Sequence, residues 1–110
     1  MKFAHPSEQE FTNHLDLFNI PWIYEPTSFP LKWSSGSIKK MFTPDFYLPT
    51  LNIYIEITTM NQKLISKKLK KIKLARKLYP SKTFKLINEK EYNQLLSQND
   101  KSLVQKAIAS

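Results

Sequence analysis

The chain contains no cysteine, which excludes disulfides and thiolate-held metals and suits a reducing interior. It has a single glycine, Gly36, so a glycine-rich phosphate loop is excluded as well. No segment approaches the roughly 18 continuous apolar residues of a membrane span, and the N-terminus lacks a signal-peptide pattern. A cytoplasmic protein with no membrane partner is the expectation. Acid is scarce too: nine Asp+Glu stand against seventeen Lys+Arg, a formal charge of +8. On so small a chain that excess implies a polyanionic partner, nucleic acid first. His5 and His14 do not form a metal-ligand spacing with each other.

What is present is globular. The 110 residues are 41% hydrophobic and 13% aromatic, enough for one domain with an ordinary core. Ser7-Glu-Gln-Glu10 has capping-box spacing, with Ser7 as N-cap and Glu10 at N3. It predicts a helix to about Phe18, whose buried stripe is Phe11, Leu15 and Phe18. Trp22–Glu25 reads as a short strand, with Phe29–Trp33 continuing it at an edge. Ser34–Ser37 is a turn, and Ile38–Leu48 is the returning strand, bent at Pro44. Residues 51–58 form the most β-like segment.

Residues 61–79 read as a long basic helix ended by Pro80, with Ile65, Leu69, Ile72 and Tyr79 inward. A strand follows at 83–87, then short helices near 89–96 and 101–109. The order is α-β-β-β-α-β with short C-terminal helices, an α/β chain with a mixed (α+β) sheet. The core spans about residues 7–88, and residues 89–110 are peripheral, with a polar tail free to fray. The first three strands meander antiparallel, and the long helix makes a right-handed parallel crossover to the last.

One run asks for more than a structural explanation. Residues 43–58 read Thr-Pro-Asp-Phe-Tyr-Leu-Pro-Thr-Leu-Asn-Ile-Tyr-Ile-Glu-Ile-Thr. Glu56 sits inside an otherwise apolar strand, where a carboxylate is rarely buried unless paired or metal-bound. Side chains alternate across a strand. Ile53, Ile55 and Ile57 therefore share one face, expected to pack on the long helix, while Glu56 and Thr58 point into the opposite space.

Pro44-Asp45 followed by Glu56-Ile57-Thr58 resembles the signature of the PD-(D/E)XK nuclease superfamily, with Thr58 where that family's lysine usually stands. The resemblance implies a restriction-endonuclease-like core and hydrolysis of DNA phosphodiester bonds with Mg²⁺ or Mn²⁺. It implies Asp45, Glu56 and the Ile57 carbonyl as metal ligands. A third acid commonly comes from the first helix, where Glu8 lies on the Phe11–Leu15 stripe and Glu10 competes. The family's lysine can migrate, and Lys68, between Ile65 and Ile72, is the favoured substitute; Gln62, Lys63 and Lys39 are others. A homodimer that cuts both strands is plausible for so short a chain.

For DNA contact the candidates are Lys39 and Lys40 beside the Gly36 turn and Lys63, Lys67, Lys70 and Lys71 on the helix. Lysines of this kind give salt-dependent, sequence-blind affinity. Two other readings compete: a nucleic-acid-binding module that does not cut, favoured by Thr58, and a protein-interaction subunit docking through the C-terminal helices.

Overall fold

The computed structural model describes residues 3–58 and 62–109, and for 62–64 the backbone alone. The first helix, α1 (Pro6–Leu17), precedes five strands: β1 (Ile23–Tyr24), β2 (Phe29–Ser34), β3 (Ser37–Phe42), β4 (Phe46–Leu48) and β5 (Ile53–Thr58). Helix α2 (Gln62–Leu78), strand β6 (Phe84–Asn88) and helices α3 (Glu89–Leu96) and α4 (Lys101–Ala109) complete the chain. The fold is α+β with one mixed sheet, ordered β1-β4-β5-β6, and a separate two-stranded hairpin, β2-β3. Strands β1, β4 and β5 run antiparallel, and β6 lies parallel to β5 after the α2 crossover. None of the described helices is long and apolar enough to cross a membrane.

Local chemistry explains most element ends, with one correction. His5, not Ser7, is the N-cap of α1: its side chain accepts from the Ser7 amide at 3.1 Å, and Pro6 takes the first helical position, where its missing N–H costs nothing. Ser7 lies two residues inside the cap position, already in the helix. At the other end Asn19 adopts φ 55°, its amide bonds Asp16 O and the Ile20 amide bonds Leu15 O. That is a Schellman closure, with buried Leu15 and Ile20 in one apolar cluster. The turn between β2 and β3 places Ser35 at φ 50° and Gly36 at φ 77°. Two positive φ values in a two-residue loop make the type I′ geometry that matches strand twist.

The expected strand over 38–48 is in fact two strands in different sheets. Pro44 has no N–H to continue a ladder. At Thr43-Pro44 the chain leaves the hairpin and enters the main sheet as β4. Phe29–Trp33 likewise pairs with β3 and does not extend β1.

The faces of the sheet are the reverse of the expectation. Ile53, Ile55 and Ile57 pack with Phe11, Leu15, Phe46, Tyr92, Leu95, Val104 and Ile108, so α1, α3 and α4 cover them. The long helix lies on the other face, where Ile72 and Ala75 pack with Phe29, Leu31, Phe42 and Phe84 and with half-buried Tyr54. Phe46, Leu48, Ile53, Ile55, Ile57 and Ile87 of the strands need more apolar cover than α1 alone supplies, which is why the C-terminal helices are core elements and not a frayed periphery. Val104 and Ile108 are both fully buried, and the Tyr92 hydroxyl donates to Ser7 O at 2.7 Å, tying α3 to α1.

Candidate metal and nucleic-acid site

The pairing register brings the two motif acids together. Strands β4 and β5 pair Phe46 with Ile55, Tyr47 with Tyr54 and Leu48 with Ile53. One more step along the ladder sets Asp45 opposite Glu56. By alternation both side chains lie on the α2 side with Tyr47 and Tyr54, whose rings are 4.6 Å apart.

Each carboxylate grips the other strand. Glu56 Oε1 accepts from the Asp45 amide at 3.0 Å, and Asp45 Oδ2 accepts from the Ile57 amide at 2.8 Å. The carbonyl of Asp45 in turn accepts the Glu25 amide at 2.8 Å, anchoring the acid's backbone to the turn after β1.

Lys68 completes the cluster. It stands one turn before Ile72 and Ala75, in line with them at i, i+4 and i+7, so the buried stripe of α2 points it at the sheet. Its Nζ lies 2.9 Å from the Ile57 carbonyl and 3.2 Å from Glu56 Oε2. A cation thus occupies the two oxygens, one carboxylate and one carbonyl, that the sequence reading assigns to a metal ion.

Glu56 is 6% exposed. Burial first, and the charge of Asp45 second, push its carboxyl from an ordinary 4.5 up to about 8, against the pull of Lys68. Burial raises Asp45 as well, with Glu8 adding to the rise and the Ile57 amide and Lys68 opposing it. The ion pair and the raised values describe one state: a single ammonium faces two carboxylates, so the cluster is one positive charge short and holds a proton near neutrality. A hard cation supplies the same missing charge through oxygen ligands. Acceptor capacity for such an ion remains, since an ionised carboxylate has about four lone-pair sites and Glu56 commits two in the bonds above.

A pH prediction follows from Glu56. Its folded value lies above its unfolded one, so between about 4.5 and about 8 the native state holds a proton that the unfolded chain has lost. Stability in chelator is expected to fall as pH rises through that window, by up to about 1.4 kcal/mol per pH unit. Urea unfolding at pH 5, 6, 7 and 8 checks this. Glu56→Gln should flatten the slope, and an equal slope in the variant would refute the assignment.

The remaining candidates are placed as follows. Glu8 is buried beside Tyr24, whose hydroxyl donates to Glu8 Oε1 at 2.8 Å, and the Ala4 amide reaches the same oxygen at 3.2 Å. Its charge reaches Asp45, yet among the described residues no three His, Asp or Glu side chains converge to hold an ion. Glu10 is exposed and accepts from the Tyr92 hydroxyl at 3.1 Å, so it neither caps α1 nor joins the acids.

Thr58 is fully buried, and its hydroxyl has no hydrogen-bond partner among the described residues. The side chains of Gln62 and Lys63 lie outside the described residues. A cavity of about 330 Å³ opens between β3 and α2, lined by Met41, Phe42, Thr43, Glu56, Lys67, Lys68 and Lys71. Lys67 and Lys71 are thus brought to Glu56, while Lys39, Lys40 and Lys70 line no part of it. Lys39 and Lys70 are exposed and Lys40 is half-buried.

Two contributors escape a reading of the sequence. Tyr24 holds Glu8 from 16 residues away, and Met41–Thr43 form a cavity wall only because the chain changes sheets at Pro44. No local pattern signals either. No family model matches the chain, and no curated protein or solved structure gives a significant match.

Proposed function

We propose that the protein is a metal-dependent DNA endonuclease built on a core of PD-(D/E)XK type. The observation that carries the reading is the Asp45–Glu56 pair, opposed across β4 and β5, buried, short of positive charge, and served by a lysine from the crossover helix. The sequence resemblance supplies those two acids. An antiparallel pair, a crossover helix and a parallel strand supply the kind of frame they need.

In this reading Asp45, Glu56 and the Ile57 carbonyl hold Mg²⁺ or Mn²⁺. Such an ion polarises the phosphate and makes a coordinated water more acidic. The chain's own residues do the rest. Asp45 and Glu56 are fixed by backbone amides, so they do not reorganise during the reaction. With an ion held by Glu56 and the Ile57 carbonyl, Lys68, which bonds both in its absence, would be free to face the negative charge that develops on the phosphate. Lys67 and Lys71, on the cavity rim, bind the flanking phosphates. The water oxygen would add to phosphorus as the bond to one ester oxygen breaks, and the proton that the water gives up balances the one the departing oxygen takes on.

One observation favours a second reading. Lys68 already satisfies Glu56 and Ile57 O, which is how a module that binds DNA without cutting would neutralise an inherited acid. Incubating supercoiled plasmid, linear single strands and branched DNA with Mg²⁺, Mn²⁺ or chelator separates the two. The nuclease reading expects nicking with metal and none with chelator. Tight binding on all three substrates with no cutting under either ion would favour the module.

A further inference from the structure

The β2–β3 hairpin stands outside the main sheet, and its two ends differ. At its base Phe29, Leu31 and Phe42 are buried with Ile72, Ala75 and Phe84. At its tip Trp33 and Ile38 are partners across the ladder, 55% and 50% exposed. The chain's other tryptophan, Trp22, is engaged: it donates to Asp16 Oδ1 at 2.7 Å and packs edge-on against Phe46. The Trp33 side chain makes no hydrogen bond and no ring contact among the described residues.

The charged side chains of the hairpin are all of one sign. Lys32, Lys39 and Lys40 lie on the hairpin, and no acid occurs between Glu25 and Asp45. Irregular register on either side of Lys32 puts Lys39 at a bulge of β3. A second copy of the chain seated on this tip would set six lysines against one another, an arrangement that like-charge repulsion disfavours. A polyanion with flat apolar faces suits it: bases offer the faces, and phosphates offer the charge.

The cavity narrows the form of that polyanion. Its 330 Å³ volume is at the low end of the roughly 300–1,000 Å³ of small-molecule sites. It admits a piece of one strand and not a duplex. β3 connects the two places directly, with Ile38 at the tip and Met41 and Phe42 in the cavity wall.

We propose that the hairpin is a strand-binding arm: Trp33 stacks on an unpaired base of DNA, Lys32, Lys39 and Lys40 hold its phosphates, and the strand runs along β3 to the cavity at Glu56. This rests on the nuclease reading for its biological sense and names the substrate class, DNA with unpaired nucleotides. Stacking of this kind is blind to sequence, because every base has a π-face.

The test is binding in chelator, where no cutting intervenes. Wild type, Trp33→Ala and Trp33→Phe are titrated with a single-stranded oligonucleotide and with its duplex, following tryptophan emission and, for affinity, a labelled strand. The single strand should quench wild-type emission and bind more tightly than the duplex. Trp33→Ala should lose affinity on the order of 10-fold for the single strand, while Trp33→Phe, still aromatic, stays near wild type. Equal single-strand affinity in wild type and Trp33→Ala would overturn the arm, as would a Trp33-dependent emission shift on raising protein concentration without DNA. Single-strand quenching by a protein that never cuts would keep the arm and sink the nuclease. Cutting that survives Trp33→Ala with unchanged binding would do the reverse.

Discussion

Cutting by Glu56→Gln and by Asp45→Asn is expected to fall on the order of 10³-fold or more below wild type, while both proteins stay folded. The isosteric changes are chosen for physical reasons. An alanine at 45 would leave the Ile57 amide buried without its acceptor, at a cost of about 1–3 kcal/mol, and any lost activity could then be blamed on folding. Asparagine keeps an oxygen for that amide, and glutamine keeps one for the Asp45 amide.

Each change removes one negative charge from a cluster that has one too many. Glu56→Gln should therefore be at least as stable as wild type at pH 8 in chelator, because the raised carboxyl no longer has to ionise inside the fold. Initial rates on a nicked-plasmid assay, with urea unfolding alongside, check both halves. Loss of cutting together with retained or increased stability marks the pair as functional. Undiminished cutting in either variant would place the chemistry elsewhere.

Lys68→Met carries the second large effect, and it acts in opposite directions on three observables. Removing one partner of a buried ion pair typically costs about 3–5 kcal/mol. Lys68 is about a fifth exposed, so the expected loss at pH 8 in chelator is smaller, about 1–3 kcal/mol. At pH 6 the loss should shrink, since Glu56 already holds a proton there and leaves the lysine one negative charge fewer to neutralise.

Divalent-ion affinity should rise, because the ammonium that sits on Glu56 Oε2 and Ile57 O no longer competes for them. Cutting should nonetheless fall on the order of 100-fold, as positive charge near the reacting phosphate is lost. Tighter ion binding with slower cutting is a combination that simple unfolding does not produce. A Lys68→Met protein that cuts at the wild-type rate would show that the lysine only neutralises the pair.

Much of this was legible in the residues. The four helices, the last two strands and the turn at Gly36 follow from periodicity and turn chemistry, which are local, whereas five strands precede α2 where three are expected. An acid in the run Ile53–Ile57 demands a partner, which is legible in the residues; that Asp45 stands beside it is what the family resemblance implies. Lys68 was legible because it interrupts an apolar stripe.

The failures share one cause: they depend on which elements meet. Alternation places Ile55 and Glu56 on opposite faces but does not say which face receives α2, so the expected packing of the isoleucines on that helix does not follow from it. With the faces reversed, Lys68 lies on the same side as Glu56 and needs no detour. The capping spacing from Ser7 to Glu10 was outcompeted by His5-Pro6, a side-chain acceptor followed by a residue without an N–H. Residues 38–48 have one strand's composition, and only the separate pairing partners of β3 and β4 divide them. Glu8 was placed inward correctly, but its hold by Tyr24 depends on where β1 lies.

The measurement that tests the central claim most directly is a calorimetric titration of the metal-free protein with Mn²⁺ at pH 8, on wild type, Asp45→Asn and Glu56→Gln. The account predicts one ion per chain for wild type, with protons released as it binds, and at least about 10-fold weaker binding in each variant. No binding by wild type, or binding undiminished in both variants, would contradict the claim that this buried acid pair is a cation site.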